Sequence, residues 1–386
     1  MNLSDKKVVF ILLRIYSNKI VLRDSLDKGY IEIEGNRITD VVLGRKPEGD
    51  FIDMTGKFVL PGLINIHSLD FVKEISSKYI KFFTEEKAFY QVEKLLAESG
   101  ITTVFHTFTL DKFSEGRDLE EVIEKLTYVK NYRKRRFLID HKVHLKFKLG
   151  DINLNRKLKA LFDAECVDFV TCTGYHSEIL EEYQEQYYAQ YLQNQFEIDE
   201  ELARKITERL RELREESALD ELSYKMKFAK SRKIPFAVSK CELVEKLKET
   251  YKIGIDLLVD PKSEKSMEYV SCNNLSASID VESLVDENSI IDYVDEMADD
   301  NINILSASNR SRDILEYVLN LEGNIGLPKA VRLASYNPAM ALGMHDKGEI
   351  APGKEADIIV VDIFEDLPIN IMTISDGKVI VKYNYN

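Results

Sequence analysis

Few residues of this chain are suited to metal or nucleophilic chemistry: 6 histidines and 4 cysteines in 386 residues. One histidine closes a distinctive stretch, Val59-Leu60-Pro61-Gly62-Leu63-Ile64-Asn65-Ile66-His67. An apolar run of strand length behind a Pro-Gly breaker reads as a buried parallel strand, and the imidazole at its C-terminal end is placed to hold a metal. His106 lies in a second apolar run, Ile101–Phe108. As a neutral imidazole it suits a metal, and as a histidine inside an apolar strand it equally suits a hydrogen-bonded core position. The cysteines Cys166, Cys172, Cys241 and Cys272 have no CxxC spacing. They predict no disulfide scaffold and fit a reducing cytoplasm.

The elements that must position such groups follow from the apolar pattern. From Val59 onward, strand text alternates with helical text, giving eight strands: Val59–His67, Ile101–Phe108, Lys142–Leu149, Val167–Thr173, Pro235–Ser239, Gly254–Val259, Leu275–Asp280 and Ile302–Ser308. Helical spacing falls between them at Glu85–Ser99, Leu119–Val129, Glu242–Thr250, Ile290–Met297 and Ser311–Leu321. Eight alternations predict an α/β fold, a (β/α)8 TIM barrel, with a doubly wound sheet as the alternative that periodicity leaves open. Before Val59, short β-rich pieces separated by turns form a small antiparallel sheet that cannot close a core alone, and the strand text after Gly348 completes it. The expected domains are therefore 1–58 with 348–386, and a barrel over 59–347. A charged, Tyr/Gln-rich helical insertion spans about 176–233, with an apolar seam through Leu202, Ile206 and Leu210. It reads as a long crossover, or as a lid or dimer contact that would make a homo-oligomer.

Charge narrows the partners. Lys+Arg number 53 against 67 Asp+Glu, a net charge of -14, and such a field disfavours nucleic acid and anionic membranes. The basic run Lys130, Arg133, Lys134, Arg135, Arg136 falls at the non-catalytic end of a barrel and reads as a solvated face. Met1–Lys7 is polar and the run Val8–Leu13 stops at Arg14, so neither a signal peptide nor a membrane span is expected. The expected partner is a small molecule at the barrel mouth.

Several motifs together resemble a known family. The Leu60-Pro61-Gly62-Leu63-Ile64…His67 entry, Gly100-Ile101-Thr102-Thr103-Val104 and the closing pattern from Asn337 through Asp362 resemble the amidohydrolase superfamily. Those proteins are metal-dependent hydrolases with a TIM barrel flanked by a small β-sandwich built from both chain ends. His141-Lys142-Val143-His144-Leu145-Lys146 and the insertion are similar to the PhnM-like phosphonate-metabolism branch, diphosphohydrolases of ribose methylphosphonate triphosphate.

The resemblance implies a divalent metal (zinc, manganese or iron) held by histidines and carboxylates that activate a water. Carried over residue by residue, the set is incomplete. His67 matches the first histidine, but its partner position is Leu69, with Asp70 adjacent. His106 stands where the branch tends to have aspartate. Lys148 stands for a bridging glutamate, as a salt-bridged or a carboxylated lysine. Thr173-Gly174-Tyr175-His176 replaces an Asp-His pair, leaving His176 as a ligand or a helix-start polar residue. Ser239-Lys240-Cys241 replaces Ser-His-Asp, and Ser308 falls where the proton-accepting aspartate is expected. With only 17 glycines in the chain, a backbone cradle for a triphosphate looks unsupported. One expectation is a rewired metal hydrolase using His67, His106, His176 and Asp70 or Asp280, with Lys148, His144, Lys240 and Ser308 around the substrate. The other is a pseudoenzyme, a barrel kept to bind a small molecule or a partner protein.

Overall fold

The computed structural model describes residues 12–76, 85–110, 119–134, 138–149, 152–175, most of 189–197, and 198–239, 254–285 and 293–383. Eight parallel strands form one sheet: β6 (Leu63–Ser68), β7 (Ile101–Leu110), β8 (Asp140–Leu149), β9 (Phe169–Tyr175), β10 (Phe236–Val238), β11 (Leu257–Val259), β12 (Ala277–Asp280) and β13 (Ile304–Ser306), neighbours in chain order throughout. The predicted alternation is present, in strands mostly shorter than their apolar text beyond β9.

The largest difference lies at the opening motif. Val59–His67 is two strands, not one: β5 (Phe58–Pro61) belongs to the other sheet, and β6 opens the barrel. Gly62 is the joint. A Cβ there would lie 2.3 Å from Thr102 Oγ1, so only glycine lets the chain pass the start of β7.

The ends of the sheet meet to make a near-closed barrel. Among the described residues β6 and β13 share no strand ladder; instead the Asn65 side chain acts as one. Its amide donates to Ala307 O at 2.8 Å and its oxygen accepts the Ala307 N–H at 3.2 Å. Leu69 N–H donates to Ser308 O at 2.9 Å just beyond.

Which side chains enter the barrel is set by strand alternation. Ile64, Ile66, Phe105, Phe169, Ala237, Leu257 and Ile304 form the interior, plugged by Ala339 and Leu342. Val104, Phe108, Val143, Leu145 and Phe147 belong to the outer layer under the helices. That layer includes α1 (Asp70–Ser76), α2 (Glu85–Glu98) and α3 (Leu119–Arg133). On β8, therefore, Lys142, His144 and Lys146 share the inward face.

The second sheet combines both chain ends. β1 (Leu12–Val21), β2 (Leu26–Glu34), β3 (Arg37–Leu43) and β5 join β14 (Ile358–Phe364), β15 (Leu367–Ser375) and β16 (Lys378–Lys382) in the order β16-β15-β14-β5-β1-β2-β3, with β4 (Ile52–Asp53) beside β1. Ile15, Ile31 and Val59 from the first part meet Ile358, Val360 and Met372 from the last in one core.

The helix α4 (Ile152–Asp163) precedes β9, and α5 (Glu200–Ser231) follows it as one 32-residue helix whose first turn is capped by Asp199 accepting from Leu202 N–H. Its buried stripe is not the expected one. Leu202 is exposed while Ala203 and Thr207 are buried, and Leu222, Met226 and Ala229 pack onto the barrel. The second half of the insertion is thus the crossover helix itself. The predicted helix Glu242–Thr250 lies outside the described residues, as does most of Glu181–Gln195. Among the described residues no helix is long and apolar enough to cross a membrane.

Candidate functional site

The inward face of β8 builds one wall of the recess at the strand C-termini. His144 is fixed there from both sides: Nδ1 lies 3.0 Å from Thr107 Oγ1 on β7 and Nε2 2.8 Å from Thr171 Oγ1 on β9, with the ring stacked on Phe169 at 4.3 Å between centroids. Both its nitrogens are engaged, so it supports the site more readily than it ligates.

His67, at the end of β6, meets His144 edge-on with ring centroids 5.6 Å apart. Its Nδ1 is 3.7 Å from Asp280 Oδ2. Asp280 ends β12, and its carboxylate is aimed by backbone: Oδ2 accepts the Ser308 N–H at 2.8 Å and Oδ1 the Glu282 N–H at 3.1 Å. Lys146, two residues beyond His144 on the same face, lies within electrostatic reach of both imidazoles and of Asp260 and Asp280.

The electrostatics of the recess follow from burial. Burial pushes the His67 imidazole well below its ordinary pKa and Lys146 adds to the push. His144 is lowered well below the ordinary value by burial first, then by His67 and Lys146. Burial lowers the Lys146 ammonium against the opposing pull of Asp260 and Asp280. It raises the Asp280 carboxyl, with the Glu282 and Ser308 hydrogen bonds working the other way. An imidazole and a carboxyl group thus face each other across 3.7 Å, the pairing that can take and return a proton.

The other candidates are placed elsewhere. His106 points outward from β7: its Nε2 is 2.9 Å from His141 Nδ1, whose Nε2 is 3.1 Å from Glu93 Oε1, all buried among Phe71 and Phe89. It does not join His67. Asp70 opens α1 and accepts the Ser68 hydroxyl at 2.8 Å. Ser308 holds Asp280 through both its N–H and its side chain, and its carbonyl accepts the Leu69 N–H. Lys148 lies near the end of β8, and its side chain, with His176 and Lys240, falls outside the described residues.

Among the described residues no group of three or more His, Cys, Asp or Glu could hold a metal ion. His67 and Asp280 supply two donors, the His144 nitrogens are spent on threonines, and an ammonium shares the recess. Among the described residues this donor set falls short of the three protein ligands that a catalytic zinc site uses. Two groups drew no attention in the sequence. Lys146 is legible from its i+2 spacing to His144, and Glu93 from falling four residues after Phe89 on the buried face of α2.

A barrel with its polar recess at the strand C-termini, flanked by a sheet drawn from both chain ends, is the amidohydrolase type of architecture, and residues 261–381 match the amidohydrolase family. The chain is similar to alpha-D-ribose 1-methylphosphonate 5-triphosphate diphosphatase of Escherichia coli (strain K12), 23% identical over 360 residues, covering 89% of this chain and 93% of that protein. Adenine deaminase of Petrotoga mobilis (strain DSM 10674 / SJ95) is 42% identical over 50 residues, 13% of this chain and 9% of that one. Among solved structures, N-acetyl-D-glucosamine-6-phosphate deacetylase from Mycobacterium smegmatis shares the fold with a TM-score of 0.63 at 16% identity, over 96% of this chain and 100% of its own. Beta-aspartyl dipeptidase from Fervidobacterium islandicum AW-1 does so with a TM-score of 0.63 at 17% identity, over 97% and 100%.

Proposed function

We propose that this chain is a hydrolase of small phosphorylated sugars, working at the open end of its barrel with His67 as general base and Asp280 as its partner. The observation that carries the reading is the 3.7 Å approach of His67 Nδ1 to Asp280 Oδ2 inside the recess. A neutral imidazole takes the proton of an attacking water, the Asp280 carboxylate stabilises the imidazolium that forms, and the same proton passes to the leaving oxygen. The substrate class is supported by two similar proteins whose names specify phosphorylated sugars. The cysteines Cys166 and Cys272, neither in a disulfide, support a reducing, cytoplasmic setting.

The test is phosphate or acyl release from a panel of ribose and hexosamine phosphates, by wild type, His67→Ala and Asp280→Asn, with and without chelator. The expected result is turnover that survives chelation and falls by about 10²- to 10⁴-fold in His67→Ala. Turnover abolished by chelator would replace this reading with a metal hydrolase. Thermal stabilisation by the same ligands without turnover would make the mouth a binding site, the pseudoenzyme alternative.

A further inference from the structure

A cleft separate from the mouth lies where the small sheet meets the barrel, beside the start of β6 and away from its His67 end. About 190 Å³ of space there, part of it open to solvent, covers a floor that includes the buried residues Val21, Pro61, Val331 and Ile350. Two arginines line it, one from each part of the fold: Arg23 from the turn between β1 and β2, and Arg332 from the helix Leu327–Leu333. Asp24 holds both guanidiniums. Its Oδ2 lies 3.1 Å from Arg23 Nε, and its Oδ1 accepts from Arg332 Nη1. Arg23 also reaches Tyr336, with Nη1 3.5 Å from the hydroxyl and the guanidinium carbon 5.4 Å from the ring centroid. Glu349, the carboxylate in the lining, is already paired with Lys354 at 2.8 Å. Both guanidinium charges therefore share the single carboxylate of Asp24, and positive charge is left in excess. The donors are in excess too. Arg332 Nε is buried and has no hydrogen-bond partner among the described residues, and a guanidinium has donors only. A buried N–H without an acceptor is costly. A small oxyanion supplies both the missing acceptor and the missing charge, in the planar fork geometry that guanidiniums match. The Arg23 side chain is 49% exposed and that of Arg332 25%, so a solute reaches the pair without opening the fold.

We propose that this cleft is a binding site for a small oxyanion, the phosphate or carboxylate group of a small solute, gripped between the Arg23 and Arg332 guanidiniums. Asp24 is then an internal competitor that holds the two arginines together until the ligand arrives. The site is read on anion binding and lies away from the mouth, so absence of turnover with sugar phosphates leaves it standing.

The test is calorimetric titration of the full chain with inorganic phosphate, sulfate and acetate in turn, in a zwitterionic buffer of low ionic strength. Wild type is expected to take up at least one of these anions saturably, with a Kd of about 1 mM or tighter. Arg332→Gln and Arg23→Gln are each expected to weaken that uptake at least about tenfold. Asp24→Asn removes the competing carboxylate and is expected to tighten it several-fold. Uptake that Arg332→Gln removes and His67→Ala does not is uptake at the cleft, whatever the mouth holds. Phosphate and sulfate taken up without acetate assign the cleft to phosphoryl groups, and acetate taken up as well or alone assigns it to carboxylates. Either pattern, lost in the arginine variants, supports the proposal. It is overturned if wild type takes up none of the three anions saturably, or if uptake is equal in wild type and both arginine variants. Should Arg332→Gln fail to fold, Arg23→Gln, a change on a half-exposed turn, decides in its place.

Discussion

The buried chain His106–His141–Glu93 shows how a residue suited to ligation becomes part of the core instead. Glu93 Oε1 accepts the Leu138 N–H at 2.8 Å and the Ile139 N–H at 3.3 Å in addition to His141, so the acid of α2 orders the backbone that leads into β8. His106 Nδ1 and Glu93 Oε2 have no hydrogen-bond partner among the described residues. Burial, with His141 beside it, holds the His106 imidazole well below its ordinary pKa, and a pH dependence follows. Below the ordinary histidine value near 6.5 the unfolded chain binds a proton that folded His106 refuses. Stability is therefore full above about pH 6.5 and falls as pH decreases, by up to about 1.4 kcal/mol per pH unit from this group. His144, lowered in the same direction, adds to the slope. Urea unfolding at pH 8, 6 and 5 checks it, with His106→Gln expected to flatten the curve. An unchanged slope in that variant would remove His106 as the cause.

At the scale of elements, the barrel depends on two junctions that a chain of apolar strands does not reveal. Asn65 joins β6 to β13, and Gly62 lets β5 and β6 diverge into different sheets. Gly62→Ala places a methyl 2.3 Å from Thr102 Oγ1, an overpacking expected to cost about 1–3 kcal/mol. Thr102→Ala removes both the Oγ1 and the Cγ2 atoms that crowd it. The double variant should therefore recover part of the loss in thermal unfolding, with the Thr102 Cβ still 2.9 Å away, while simple additivity of the two changes would argue against the clash.

At the scale of the molecule, the small sheet and the barrel are tied by Lys347. Its Nζ reaches Asp357 at 2.7 Å and Glu355 at 2.9 Å, with Asp140 at the start of β8 3.9 Å away. Lys347 is 5% exposed and Asp357 is buried. Lys347→Met would strand two carboxylates in the interior. A loss of about 3–5 kcal/mol is expected, read by denaturant unfolding as one earlier transition. A shift below about 1 kcal/mol would mean that water already satisfies the pair.

Much of this architecture is local physics and is legible along the chain. Apolar strand text alternating with amphipathic helix text gave the eight-fold repeat, and turn-rich β text at both ends gave the composite sheet. A histidine behind a Pro-Gly breaker marked the mouth. The chemistry of that mouth was another matter, because parallel strands covered on both faces are apolar on both faces. Nothing in Ile101–Leu110 says that Phe105 enters the barrel while His106 leaves it; that parity is fixed by the neighbouring strands. Asp280 was set beside His67 only through the family resemblance, as an alternative to Asp70; that Asp280 is the one within 3.7 Å requires β6 and β12 to face one recess across the closing barrel. Residue types were a property of the sequence, and the side of the sheet each one faced was decided by tertiary packing.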